Sequence, residues 1–178
     1  TDKSYGEYPL DMMPYREDYP LKPKYPYDVS KACGDMIARC YGRDCYGLPL
    51  VVSRFANIYG PGQMNFSAII PDLCRAALGY GEFEPRGDGS QVRDYIFVSD
   101  VVGLYLRIAS KLATSRDSLS MDVYNAGTGK ATSVRELISL VFDSAGAHTA
   151  GQDIVDSLQP REQKGEIPFQ YMDYKTVE

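Results

Sequence analysis

Residues Tyr25–Gly62 read YPYDVSKACGDMIARCYGRDCYGLPLVVSRFANIYGPG, and this stretch decides the class of fold. Val29, Ala32, Cys33, Met36, Ile37, Cys40 and Tyr41 recur at three- and four-residue steps, the spacing of one helix face. The spacing predicts a helix from about Tyr27 to Tyr46, stopped at Gly47-Leu48-Pro49. PLVVSRF (49–55) then reads as a buried strand, and ANIYGPG (56–62) as a loop punctuated by glycine and proline. Downstream, a second helix is expected over roughly Ser67 to Leu78. GEFEP (81–85) and QVRDYIFV (91–98) read as short strands flanking the turn Gly87-Asp88-Gly89. Ser99 or Asp100 is expected to cap a helix that buries Val101, Val102, Leu104, Tyr105 and Ile108. A polar loop (113–121) precedes the strand DVYNAGT (122–128), and Ser133 with Glu136 forms a capping-box signature for a helix over Val134–Ser144. QDIVDSL (152–158) and FQYMD (169–173) are weaker strand candidates, and YKTVE (174–178) reads as the start of a helix. Alternating helices and strands imply an α/β fold.

The 178 residues are about one domain's worth of chain, 44% hydrophobic and 24% charged. No run reaches the ~18 apolar residues of a membrane span. A net charge of -5 without any basic block argues against a nucleic-acid partner. Cys33, Cys40, Cys45 and Cys74 lack the paired close spacing of a zinc site, and His148 is the one histidine, so no metal site and no Ser-His-Asp triad is expected. The first three cysteines fall on the predicted helix as reduced packing residues, which fits a cytoplasmic protein. Pro9, Pro14, Pro20, Pro23 and Pro26 make residues 1–26 an ordered loop or linker. The 15 tyrosines without a tryptophan tilt the aromatic content toward phenols. The chain opens at Thr1 without a methionine or a signal-like segment, which suggests an engineered chain or a piece of something longer.

Tyr27 and Lys31 are four apart at the start of the predicted helix and share a face. A phenol titrates near 10, too high for a base at neutral pH. A nearby ammonium and a helix N-terminus both favour the phenolate, which suits a group that moves a proton on an alcohol during hydride transfer. About 0.7 such pairs are expected by chance in this composition, and Tyr171/Lys175 matches equally well. The flanking YPYDVSKA favours Tyr27; the competing reading is a helix start and nothing more.

TDKSYGE (1–7), PYDVSKACGD (26–35), SRFANIYGPG (53–62), NFSAIIP (65–71), VRDYIFVSDVV (92–102) and YNAGTG (124–129) occur in this order. Together they resemble the extended short-chain dehydrogenase/reductase family, the nucleotide-sugar epimerases and dehydratases. The resemblance implies a partial Rossmann-type parallel sheet with a smaller mixed α/β substrate-binding domain, and NAD as cofactor. It implies residues 1–62 as the C-terminal part of the NAD-binding domain. Residues 63–178 would be mainly nucleotide-sugar-binding, with about 91–115 returning to the Rossmann part. No Gly-x-x-Gly-x-x-Gly turn follows a strand here, so about the first 120 residues of the family pattern are expected to be absent.

The same resemblance assigns roles. Tyr27 and Lys31 would be catalytic and would hold the nicotinamide ribose. Thr1, Asp2 and Lys3 resemble the Thr-Asp-Lys of CDP-glucose 4,6-dehydratases, as do YPYDVSK and EIPFQYMD (166–173). Thr1 would bond the reacting 4-oxygen, Asp2 would protonate the departing 6-hydroxyl, and Lys3 would act at carbon 5. Asp2 and Lys3 on their own residues read as a solvated chain end. Arg93 would pair with the diphosphate, and Asn57, Asn65 and Arg75 would contact the substrate, with Ile70 beside them. Their competing readings are a strand arginine paired with Asp94 and a turn asparagine. Glu166 and Tyr171 would close the nucleotide pocket, and Asp100 would be a cap. A homodimer through the Tyr27–Tyr46 helix is expected of the full-length protein, leaving an apolar patch there. The alternatives are a 4-epimerase or reductase relative, expected if Asp2 and Lys3 face solvent, and an inactive nucleotide-sugar-binding remnant.

Overall fold

A computed structural model describes residues 1–114, 123–159 and 169–170. Pro26 is suited to the first turn of a helix, where its missing N–H costs nothing, and α1 runs over Pro26–Arg39. A π-helical turn, Cys40–Cys45, follows it, so the expected single helix is two geometries in succession. The strand β1 (Val52–Phe55) lies parallel to β5 (Val123–Ala126), in register from Val52 opposite Val123 to Phe55 opposite Ala126. β2 (Asn57–Tyr59) is hydrogen-bonded to β4 (Tyr95–Phe97), and α3 (Val98–Thr114) continues directly from β4. Ser99 and Asp100 therefore lie inside the first turn of α3 rather than capping it.

The chain forms two units. Over the described residues, the first comprises 1–58, 94–114, 123–130 and Gln170, and the second 59–93, 131–159 and Phe169. The first is a Rossmann-type α/β arrangement built on the parallel β1/β5 pair, with α1 packed beside β1. Its core joins Phe55, Ala56, Ile96, Val101 and Ala126 to three tyrosines of the proline-rich opening segment, Tyr5, Tyr8 and Tyr15. Tyr5 and Tyr15 stack with centroids 4.8 Å apart, Tyr8 meets Tyr15 edge-on, and Tyr8 stacks on Tyr19. Each buried phenol finds an acceptor, as it must: Tyr8 donates to the Pro20 carbonyl (2.7 Å) and Tyr15 to that of Gly6 (2.6 Å). Much of the tyrosine surplus is thus structural, and residues 1–25 are an ordered segment with short 3-10 turns at Asp2–Tyr5 and Leu10–Met12.

In the second unit, β3 (Val92–Arg93) pairs antiparallel with β6 (Thr132–Ser133) and neighbours β7 (Phe169–Gln170) on its other side. The Ser133 hydroxyl accepts from the Glu136 amide (3.1 Å) and caps α4 (Val134–Ser144). α4 packs on α2 (Ile69–Ala77) and α5 (His148–Ser157), burying Leu73, Leu137, Ile138, Phe142 and Val155.

Several expectations fail. QDIVDSL is the end of α5, a helix that Gly151 lets approach Phe142, where an added Cβ would collide with the Phe142 Cβ. GEFEP forms no strand. On α3, Val101 and Ile108 are buried but Val102 and Tyr105 are exposed. On α1 and the turn after it, by contrast, the apolar stripe is open as the expected patch requires: Val29, Cys33, Met36, Ile37 and Tyr41 are exposed, while Asp28, Ala32 and Asp35 are buried. The cysteines accordingly do not serve as core packing. YKTVE, the Tyr171/Lys175 pair and most of the loop 113–121 lie outside the described residues. Among those described, no helix is long and apolar enough to cross a membrane and no metal-holding cluster occurs.

Candidate active site

Asp2 to Tyr5 form a tight 3-10 turn that packs against α1. Asp2 accepts two hydrogen bonds at the same oxygen, Oδ1: from the Thr1 hydroxyl (3.0 Å) and from the Lys3 amide (2.8 Å). Its side chain belongs to a residue only 4% exposed, so a solvated chain end does not describe it. Burial pushes the Asp2 carboxyl above the usual range, opposed by the Thr1 hydroxyl bond and by nearby positive charge. Because both bonds end on Oδ1, the proton of the neutral form falls to Oδ2. Thr1 and Lys3 are half-buried.

Tyr27 and Lys31 stand on the first turns of α1, as their spacing requires. Tyr27 is 57% exposed, and the Lys31 ammonium lies 5.5 Å from the centroid of its ring. The Ser30 hydroxyl donates to the Tyr27 carbonyl (2.7 Å). The phenol and the ammonium are therefore adjacent, solvent-facing, and set at the positive end of a helix dipole.

Behind them lies a polar network that the sequence reading missed. Asp35 continues the four-residue row of Tyr27 and Lys31, but helical drift turns it inward. There it receives a bidentate fork from Arg54, at 2.7 and 3.1 Å, and an ion pair from Arg39 at 2.9 Å. Arg54, 1% exposed inside β1, also donates to the Tyr5 hydroxyl (2.6 Å). That hydroxyl donates in turn to Asn125 Oδ1 (2.7 Å) on β5, whose amide side chain donates to the Tyr15 carbonyl (2.9 Å). Tyr5 closes the turn that holds Asp2, so one network ties that turn, α1, β1 and β5 together. The available signals were the arginine inside an apolar strand and the acid one turn beyond Lys31.

The substrate candidates fall differently. Asn57 lies in β2, not in a turn, and its side chain donates to the Asp94 carbonyl (3.3 Å). Asn65 accepts from the Ser67 amide (3.1 Å) in a local turn. Arg75 bonds Asp72 (2.8 Å) and lies over the Phe66 ring, and Arg93 donates to the Val92 carbonyl (2.8 Å). Ile70 is half-buried in α2, and Glu166 and Tyr171 lie outside the described residues. Asp94 is not the partner of Arg93. Its carboxylate is buried and accepts from the Thr128 amide and hydroxyl (2.8 and 2.7 Å) and the Gly129 amide (2.9 Å). The Thr128 and Gly129 amides of the Gly-Thr-Gly turn are thus already committed to the Asp94 carboxylate and offer no cradle for a pyrophosphate.

The sequence model of the NAD dependent epimerase/dehydratase family matches residues 1–127. The chain belongs to this family. It is 33% identical over 156 residues to a dTDP-glucose 4,6-dehydratase of Streptomyces griseus, covering 88% of this chain and 44% of that protein. It is 32% identical over 176 residues to a putative UDP-glucose 4-epimerase of Methanocaldococcus jannaschii, covering 98% of this chain and 52% of that one. Among solved structures, a dTDP-glucose 4,6-dehydratase of Bacillus anthracis in complex with NAD superposes with a TM-score of 0.73 at 29% identity, over 97% of this chain and 50% of that one. The chain therefore spans about half the length of the family members it matches. Dehydratases and epimerases stand side by side among them, so the choice between these activities rests on the site.

Proposed function

We propose that the protein carries the acid/base residues of an NAD-dependent dehydratase acting on a nucleoside-diphosphate hexose, CDP-glucose 4,6-dehydration being the specific reaction. One observation carries this reading: the buried Asp2 carboxyl, held toward its neutral form on a turn packed against the helix of Tyr27 and Lys31. Loss of a 6-hydroxyl needs a proton donor, because hydroxide is a poor leaving group. Asp2 supplies that proton from Oδ2. Tyr27 takes the proton of the 4-hydroxyl, with the Lys31 ammonium 5.5 Å from the centre of its ring. The Thr1 hydroxyl bonds the 4-oxygen in exchange for its bond to Asp2, and Lys3 draws the carbon-5 proton. Bound NAD would supply reversible hydride acceptance. The exposed Tyr27 and Lys31 fit its nicotinamide ribose, whereas the Gly-Thr-Gly turn does not fit its pyrophosphate.

In this reading residues 1–62 and about 91–115 serve the cofactor side, and the rest of 63–178 the nucleotide sugar, with Arg93 on the diphosphate and Asn57, Asn65 and Arg75 on substrate oxygens. A homodimer through the exposed stripe of α1 and a cytoplasmic setting belong to the same reading. The test uses the chain extended to its relatives' full length. Asp2→Asn should keep transient NADH absorbance with CDP-glucose yet form the 4-keto-6-deoxy product 10²–10⁴-fold more slowly, about 3–5 kcal/mol in the barrier. Tyr27→Phe should abolish the NADH signal itself. A 4-epimerase needs Tyr27 and Lys31 but no acid for a 6-hydroxyl. Unchanged turnover in Asp2→Asn would therefore replace the dehydratase reading with that one, and binding without any turnover would leave a nucleotide-sugar-binding remnant.

A further inference from the structure

The geometry points to a thiol–disulfide site at the end of α1, formed by Cys40 and Cys45. Their sulfur atoms lie 3.0 Å apart, in van der Waals contact or closer, with both residues reduced. Residues five apart on an α-helix are rotated about 140° from each other and do not meet. Here the chain widens into a π-helical turn over Cys40–Cys45, which brings the two side chains onto one face. Cys45 is exposed and Cys40 half-exposed, so a small oxidant reaches both. Cys33 and Cys74 are reduced and exposed as well, and they act as internal controls.

The reaction is an ordinary exchange with a small-molecule disulfide such as glutathione disulfide. One thiolate, having lost its proton to solvent, attacks a sulfur of the reagent and releases one glutathione thiolate, leaving a mixed disulfide. The second cysteine thiolate attacks that mixed disulfide at the protein sulfur, forming the Cys40–Cys45 bond and releasing the second glutathione. Two protein thiols lose two electrons, and one glutathione disulfide becomes two glutathione thiols. The closed bond ties the first residue of the π-helical turn to its last, just ahead of the segment leading into β1. Nothing in this inference depends on the nature of the substrate.

The test is made on the 178-residue chain equilibrated in glutathione buffers of graded redox poise, alkylated, digested with trypsin and analysed by mass. Cleavage after Arg39, Arg43 and Arg54 places Cys40 in the peptide CYGR (40–43) and Cys45 in DCYGLPLVVSR (44–54). A Cys40–Cys45 bond appears as these two peptides joined, and it separates on reduction. We expect the joined species at about tenfold less glutathione disulfide than Cys33 needs for half conversion to its mixed disulfide, because ring closure is intramolecular. Cys45→Ser should leave Cys40 stopping at the mixed disulfide, and Cys33→Ser should change nothing. Alkylation of Cys40 and Cys45 in step with Cys33 at every poise would overturn the assignment. So would joined peptides that come only from cross-linked dimers on a non-reducing gel.

Discussion

On α1, the face that packs toward the Thr1–Tyr5 region and β1 carries Asp28, Ala32 and Asp35, whereas the face open to solvent carries Val29, Met36, Ile37 and Tyr41, with Ile37 59% exposed. A helical repeat of apolar residues marks a stripe; it does not say what covers the stripe. The inner face can be acidic because Arg54 brings a planar fork with matching geometry to Asp35. The outer face is apolar and, among the described residues, left open to solvent, and contiguous exposed apolar surface is what association sites look like. Asp2 sharpens the contrast. It is buried like Asp35 but has hydroxyl and amide donors in place of a guanidinium fork, and burial pushes its carboxyl toward the neutral form against the pull of those donors.

The largest effect should come from the inner face. Asp35→Ala leaves Arg54 buried without its fork and should cost about 3–5 kcal/mol in urea unfolding. A cost under about 1 kcal/mol would mean that the ion pair does not decide which face is buried. Tyr5→Phe removes one hydroxyl that both accepts from Arg54 and donates to Asn125, and should cost about 1–3 kcal/mol by the same measurement.

Next comes pH. The folded pKa of Asp2 lies above its unfolded value, so between the two the folded state binds more proton. Asp2 therefore weakens the fold as pH rises from the ordinary aspartate range through the raised value. Asp2→Asn should flatten that part of the stability–pH curve; an unchanged slope would show that Asp2 ionises as freely folded as unfolded. The smallest change belongs to the outer face. Ile37→Ser should alter unfolding free energy by no more than about 0.5 kcal/mol while weakening self-association in sedimentation. A strict monomer at high concentration, before and after the substitution, would count against an association role for this stripe.

Local signals were read well where they are local in physics. Pro26 opens α1, and the Ser133 hydroxyl caps α4 by bonding the Glu136 amide within one turn. Strand character in VVSRF and VYNA follows from β-branched and aromatic residues between turn residues. QDIVDSL misled because two apolar residues between acids suit a strand edge as well as the half-buried face of a short helix. Its helical state depends on Gly151 seating against Phe142. Within the site, Tyr27 and Lys31 were legible from a spacing of four. The Asp35–Arg54 pair and the Tyr5–Asn125 bond join residues 19 and 120 positions apart, and no window of sequence contains both ends.

By itself the sequence determined the alternation of helix and strand, the helix starts, and a set of motifs in one order, because caps, turns and periodicity act within a few residues. Only the tertiary structure decided that the polar face of α1 is the buried one, that Asp2 is a buried acid, that Asp94 fills the Gly-Thr-Gly turn, and that Cys40 meets Cys45. The first three depend on what distant segments bring to a residue, a charge, a donor or cover from water. The last depends on a helix widening that periodicity does not encode.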